Sequence, residues 1–267
     1  MKRPIGIIGG SGVKSILKGN QKILGTPYGP TPNLTIGEID SRPAVFLPRH
    51  GENHSSPPHK VNYRANIWGL KSLGVERIIA TNAVGAIDQQ LTPGEIVIPS
   101  DIVDVTKSRI GTFYESSPVT HIDVSQPYCP KVREILTTSS LASGRNRPKD
   151  VVMGCTEGPR YETPAEIKML RTMGCDIVGM TGAPEAFLAR ELEMCYASIS
   201  FVSNMAAGLQ RTLSAREVEE KGHGTSQVLN KILTGAIAKI PESRKDCPCG
   251  TALTHAQLKK EEIQELA

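Results

Sequence analysis

Arg49 and His50, with Gly51 next, come directly after a short apolar run that ends at Leu47-Pro48. A guanidinium can clamp a phosphate through a two-pronged fork, with an imidazole donating beside it. His50, His54 and His59 are spaced by four and five, so a metal site is a second reading. Pro57-Pro58 forbids one continuous helical face across all three, and Gly51 stands where a helical zinc-protease motif needs Glu. A solvated loop is the third reading.

Four other segments carry comparable chemistry. Gly9-Gly10-Ser11-Gly12 offers closely approachable backbone N–H groups and a hydroxyl to an anion, or forms a simple tight turn. It does not fit Gly-x-Gly-x-x-Gly, and Lys14-Ser15 lacks the Gly that a P-loop sets before its Lys. Thr81-Asn82-Ala83-Val84-Gly85 follows an apolar run with small and amide groups, as turns also do. In Glu157-Gly158-Pro159-Arg160-Tyr161-Glu162, Tyr161 could stack on a flat ring and Glu162 accept a ring N–H; an exposed charged turn is the alternative. Gly179-Met180-Thr181 precedes a helix start, a place that favours anions, and Phe201-Val202-Ser203-Asn204 closes an apolar run with an amide. Ligands of open α/β sheets sit beyond strand ends, and several such ends here carry anion or amide chemistry.

The elements that must position these groups are legible as short apolar runs at 4–9, 34–39, 44–47, 77–81, 96–99, 176–180 and 196–202. Helical periodicity lies between them at 63–73, 131–137, 164–173 and 184–191. Thr163-Pro164-Ala165-Glu166 and Ser214-Ala215-Arg216-Glu217 are helix-start signals, the second opening a helix to about residue 239. This alternation predicts a single α/β domain over 1–240, a largely parallel or mixed β-sheet flanked by helices. Residues 241–267 turn polar and charged and read as a surface appendage.

The 267 residues carry 31 basic and 27 acidic side chains with no dense basic run, and four Phe and one Trp. The basic and aromatic interleaving of nucleic-acid binders is therefore missing. The N-terminal apolar run is short and broken by Gly, and no stretch reaches a membrane span, so the expectation is a soluble, cytoplasmic protein. Six cysteines, at 129, 155, 175, 195, 247 and 249, would be buried thiols in an ordinary cytosol, or disulfides in a thermophile. Cys247-Pro248-Cys249 has no second Cys pair in sequence and does not read as a zinc ribbon; a redox or stapling role and an inert tail stay open.

Together the segments resemble the trimeric purine nucleoside phosphorylase family, most closely its methylthioadenosine phosphorylase branch. The resemblance rests on Ile-Ile-Gly-Gly-Ser-Gly (7–12), Pro-Arg-His-Gly (48–51), Lys-Val-Asn-Tyr-Arg-Ala-Asn-Ile-Trp (60–68) and Asn-Ala-Val-Gly (82–85). It continues in Pro-Gly-Glu-Ile-Val-Ile (93–98), Glu-Gly-Pro-Arg-Tyr-Glu (157–162), Gly-Met-Thr-Gly-Ala-Pro-Glu (179–185) and Cys-Tyr-Ala-Ser-Ile (195–199). It implies a nucleoside phosphorylase fold with a central mixed sheet, a homotrimer or dimer of trimers, and phosphorolysis with inorganic phosphate and neither metal nor cofactor. By resemblance Ser11, Arg49, His50, Asn82, Ala83 and Thr181 contact phosphate, Met180 the ribose, and Tyr161 the sugar and base. His121 matches a residue reaching a neighbouring subunit's 5′ pocket, and Cys129 and Cys195 lie where thermophilic relatives are bridged.

The departures from the branch carry the specificity. Adenine-specific members have Ser where this chain has Glu162, and Asp-x-Asp where it has Asn204-Met205-Ala206. Glu162 and Asn204 instead resemble the base readers of 6-oxopurine enzymes. A carboxylate accepts from N1–H of hypoxanthine or guanine, whereas adenine's N1 is itself an acceptor. Asn204 can donate to O6 and accept from N7–H. Ala215 and Val218 match the small apolar wall around a methylthio group. The expected substrates are 5′-methylthioinosine, inosine and guanosine, in purine salvage, with Asn204 and His50 as the catalytic pair. A methylthioadenosine phosphorylase is the nearest alternative; a purine-binding module and a nicotinamide oxidoreductase are further ones, the last opposed by the missing glycine pattern.

Overall fold

Every residue of the first strand, β1 (Ile5–Gly9), is buried, as expected for a parallel strand covered on both faces. Then come β2 (Gly19–Lys22), β3 (Gly25–Thr26), β4 (Gly29–Pro30), β5 (Leu34–Ile39) and β6 (Arg42–Pro48). Helix α1 (Tyr63–Ser72) leads into β7 (Arg77–Ala86) and β8 (Ile96–Asp104), and α2 (Pro130–Ala142) into β9 (Lys149–Cys155). The order ends with α3 (Pro164–Thr172), β10 (Ile177–Gly179), α4 (Glu185–Glu191), β11 (Cys195–Met205) and α5 (Ala215–Lys239). This computed structural model describes residues 2–11, 16–244 and 247–257. Gly12 of the glycine turn, Lys14-Ser15 and the tail beyond Gln257 lie outside the described residues.

Among the described residues, nine strands form one sheet in the order β10-β9-β8-β11-β7-β1-β6-β5-β2. Strand β1 runs parallel to β6 and β7, and β7 parallel to β11, whereas β8 is antiparallel to β11. The sheet is therefore mixed, as the sequence pattern implied. Strand β10 also pairs antiparallel with β7, Ile177 against Ala86 and Val178 against Gly85, which closes β7, β11, β8, β9 and β10 into a ring.

Two strands run further than their apolar patterns suggest. Thr81–Gly85 does not come after the end of β7 but lies inside it. Strand β1 matches β7 only as far as Ile8 against Ala80, while β11 accompanies β7 to Ala86. A strand continues for as long as one neighbour supplies hydrogen bonds, so β7 outruns β1 and presents Asn82 and Ala83 beyond its end. Strand β11 likewise continues past Val202, with an irregularity that leaves Ser203 out of register between Val202 and Asn204. An extra residue in one strand re-aims the side chains after it. Strands β2 and β9 carry no alternating apolar signal, and β2 is exposed throughout.

Helices cover both faces. Leu229, Ile232, Leu233, Ala236 and Ile237 of α5 pack with Val132, Ile135 and Leu136 of α2 over Ile7, Ile79, Ile199 and Phe201. On the other face Ile67 and Leu70 of α1 meet Ala186, Leu188 and Ala189 of α4 over Ile8, Leu47 and Ile78. The two capping signals act as read: Thr163 and Glu166 form a reciprocal capping box on α3, and the Ser214 hydroxyl accepts the Glu217 N–H at the start of α5. Past α5, Cys249 and Ala256 are buried although their segment is polar in composition. No helix among the described residues is long and apolar enough to cross a membrane.

Candidate functional site

A cleft of about 1040 Å³ opens at the ends of β1 and β6 and beside the overrunning halves of β7 and β11. At its floor sit Gly9, Gly10 and Ser11, at the end of β1, and Arg49 and His50, just after β6. The turn after β1 needs Gly10: a Cβ there would lie 2.4 Å from the Thr81 carbonyl oxygen and 2.6 Å from a terminal nitrogen of Arg49. The Gly10 N–H also donates to the Thr81 hydroxyl over 2.9 Å, which locks the turn against β7.

Arg49 is anchored from beneath. Its Nε donates to Glu185 Oε1 over 2.5 Å, Nη2 to Oε2 over 2.9 Å, and Nη1 to the Thr81 carbonyl over 2.8 Å. Burial works against both charges. Glu185 nonetheless raises the guanidinium's pKa, while Arg49 and the Tyr196 hydroxyl hold the carboxyl below its ordinary range. Sequence reasoning finds Arg49 and misses Glu185, although the acid closes the 179–185 motif. Its signal is an acidic residue between apolar neighbours at a helix start.

His50 Nδ1 lies 2.9 Å from the Ser56 carbonyl, so the proton on that nitrogen donates and Nε2 keeps its lone pair. Burial and the adjacent Arg49 charge lower the His50 pKa to about 4, which leaves the ring neutral near pH 7. His54 stacks on it at 4.3 Å and lies 3.1 Å from the Ser11 hydroxyl. His59 is not among the residues lining the cleft.

Asn82 Nδ2 donates to the Thr181 hydroxyl over 2.7 Å, and Oδ1 accepts from the Ser198 hydroxyl. Accepting from Asn82 leaves the Thr181 O–H free to donate into the cleft, beside Ala83. The 157–162 loop supplies Tyr161 and Glu162. Thr156 donates to Glu162 Oε1 over 2.6 Å and orients the carboxylate. Met180 faces the same space, packed so tightly on Gly158 that a Cβ there would come within 2.6 Å of its sulfur. Arg160 is occupied elsewhere, in a two-pronged pair with Glu166.

Asn204 comes after the irregularity at Ser203, whose hydroxyl donates to Asn204 Oδ1 over 2.6 Å; Nδ2 donates to the Met205 carbonyl over 2.8 Å. Ala206 continues the wall. Gln210 accepts the Met205 N–H and donates to Glu217, which ties the end of β11 to the start of α5. That tie brings Ala215 and Val218 to the cleft, and with them Glu219 and His223 one turn on. The residues expected from sequence to contact phosphate, sugar or base thus line one space, except His121. His121 lies outside this cleft, exposed, its N–H held by the Ala256 carbonyl. Glu185 and His223 carry no role in the sequence reading, and His54 enters it only as a candidate metal ligand with His50 and His59.

The family model of the phosphorylase superfamily matches residues 4–238. A probable S-methyl-5′-thioinosine phosphorylase of Methanothermobacter thermautotrophicus is 47% identical over 264 residues, 97% of this chain and 91% of its own length. A 6-oxopurine nucleoside phosphorylase of Pyrococcus furiosus is 47% identical over 94% of this chain and 98% of its own. Among solved structures, a methylthioadenosine phosphorylase from an antarctic soil metagenomic library superposes with a TM-score of 0.89 at 33% identity, covering 98% of this chain and 94% of the other.

Proposed function

The chain belongs to the phosphorylase superfamily, and from that membership we propose that it cleaves 6-oxopurine nucleosides with inorganic phosphate. The substrates are 5′-methylthioinosine, inosine and guanosine, and the products a free purine and the corresponding pentose 1-phosphate. The observation that carries this reading is the placement of Glu162 and Asn204 on one cleft with Ser11, His50 and Thr181. A carboxylate held by Thr156 is an acceptor for N1–H, and an amide can serve O6 and N7 together.

Ser11, Arg49, His50, Asn82, Ala83 and Thr181 form the phosphate end in this proposal. Thr181 donates its free hydroxyl proton, Ala83 its backbone N–H, and Ser11 its hydroxyl. Neutral His50 accepts the P–OH proton at Nε2, and Asn82 holds Thr181 in place. Arg49 acts mainly as a fixed charge, since most of its donors are already engaged. The C1′–N9 bond breaks as a phosphate oxygen bonds C1′, and the proton lost by monohydrogen phosphate balances the one gained by the base. Asn204 stabilises the leaving purine, Met180 and Tyr161 hold the sugar, and Ala206 closes the base side. Catalysis here is positioning and preorganised charge, without a covalent enzyme intermediate, metal or cofactor.

At the 5′ end, Ala215 and Val218 suit a methylthio group, while His223 and Glu219 on the same wall can meet a hydroxyl. Inosine therefore stands beside methylthioinosine as a second substrate. Residues 1–240 form the phosphorylase unit and 241–267 an added segment. The enzyme is a cytoplasmic homotrimer, or a dimer of trimers, with no nucleic-acid or membrane partner, and His121 is supplied to a neighbouring subunit's 5′ pocket.

The test is phosphate-dependent base release from methylthioinosine, inosine, guanosine, adenosine and methylthioadenosine in parallel. Release from the 6-oxopurine nucleosides alone supports the reading. Release of adenine from methylthioadenosine as the main reaction would replace it with the methylthioadenosine phosphorylase alternative.

A further inference from the structure

We propose that Cys129, Cys195, Cys247 and Cys249 form a tetrathiolate site for one soft divalent cation, Zn²⁺, apart from the phosphorolysis cleft. The four sulfurs all lie within 4.8 Å of one another, and Cys195 Sγ and Cys247 Sγ are 3.4 Å apart. A tetrahedral zinc with bonds of about 2.3 Å to sulfur sets its ligand sulfurs roughly 3.8 Å apart. Two disulfides would instead draw the sulfurs into pairs at about 2.05 Å.

The ligands come from three separate parts of the chain. Cys129 is the N-cap of α2. Cys195 begins β11, and its neighbour Tyr196 takes the Cys129 N–H at 2.7 Å, which fixes these two ligands against each other. Cys247 is extended, at φ −147° and ψ 147°, and Pro248 then opens a 3₁₀ turn that brings Cys249 back to the same point. That reversal overcomes the short Cys-Pro-Cys spacing, which in sequence argued against zinc. Cys129, Cys195 and Cys249 are buried, and Cys247 is half-buried.

The surroundings suit the charge. Four thiolates on Zn²⁺ leave two net negative charges, and a small pocket at Cys129, Cys195 and Cys247 is lined by Arg77, Lys131 and Arg244, the last two also paired with Glu134 and Glu76. Binding forms four zinc–sulfur bonds, and each thiol gives its proton to solvent. The consequence is structural: the cation pins residues 247–257 to the core. Leu253 of that segment donates to Glu193, and Ala256 accepts from His121.

The test uses the full chain purified with reductant and without chelator, and measures bound metal by elemental mass spectrometry. One zinc per chain is expected. Cys129→Ser and Cys249→Ser should each lose it, and Cys175→Ser, in a different cluster, should keep it. Because a ligand variant can misfold, chelated wild-type protein is also titrated with Co²⁺. A single saturating equivalent with sulfur-to-cobalt charge-transfer bands is the expected signature. Metal-free protein would overturn the proposal, and in a sample purified without reductant a denatured mass lower by four hydrogens, with these thiols resistant to alkylation, would replace it with two disulfides. None of these readouts depends on nucleoside cleavage.

Discussion

The Arg49 guanidinium forks onto the Glu185 carboxylate beneath the cleft, at 2.5 and 2.9 Å, with both side chains fully buried. The partners come from the turn after β6 and the first residue of α4, and the Tyr196 hydroxyl binds the same carboxylate from β11 over 2.7 Å. One interaction therefore joins three elements and fixes a charge beneath the cleft.

Breaking it from one side leaves a buried charge unpaired. Glu185→Ala is expected to cost about 3–5 kcal/mol of stability, whereas Arg49→Met with Glu185→Leu should cost less than either single change. Urea unfolding of Glu185→Ala, of the double variant and of its two single changes checks this. A Glu185→Ala protein within about 1 kcal/mol of wild type would show that the pair carries little of the fold's stability.

His50 has a folded-state pKa of about 4 against an ordinary 6.5. Between those values the unfolded chain takes up the proton and the native one does not. Stability should then rise with pH across this window and be lost on acidification from about 6.5 to 4, by roughly 3 kcal/mol at most. Comparing urea midpoints at pH 7 and pH 4.5 for wild type and His50→Asn isolates the effect. Identical pH slopes in the two proteins would remove His50 as the source.

Asn204→Asp keeps the acceptor and removes the donor for O6. Loss of one such preorganised donor typically costs about 10²–10³ in rate. We expect that fall in kcat/KM for inosine, with the phosphate KM nearly unchanged. Adding Glu162→Ser should shift the remaining preference toward adenine nucleosides. Full activity on inosine after Asn204→Asp would sink its role at the base.

In the proposed site, His223 and Val218 distinguish the two 5′ substituents. His223→Ala should lower kcat/KM for inosine by about five- to tenfold, the worth of one hydrogen bond of about 1–1.5 kcal/mol, and leave methylthioinosine unaffected. Equal losses on both substrates would mean that His223 supports α5 rather than reading the 5′ group.

Much of the site was legible because its chemistry is local. Gly10 must lack a side chain beside Thr81, Thr163 and Glu166 must cap α3, and Arg49-His50 must come after a strand. Each requirement leaves its mark within a few residues. Glu162 and Asn204, the proposed base readers, stood out for a different reason: their donor and acceptor types match one purine edge and mismatch the other.

The amino-acid sequence by itself therefore determined the alternation of strands and helices, the caps, and the polar groups gathered at strand ends, since these arise from backbone preference and periodicity. Only the tertiary structure decided where β7 and β11 stop, because a strand's length depends on partners far away in the chain. It also decided that Ser203 steps out of register and re-aims Asn204, that Glu185 is buried under Arg49, and that Cys129 and Cys195 meet the Cys-Pro-Cys turn. Those relationships join residues up to 136 positions apart, and burial and proximity over such separations come from packing, which no local pattern encodes.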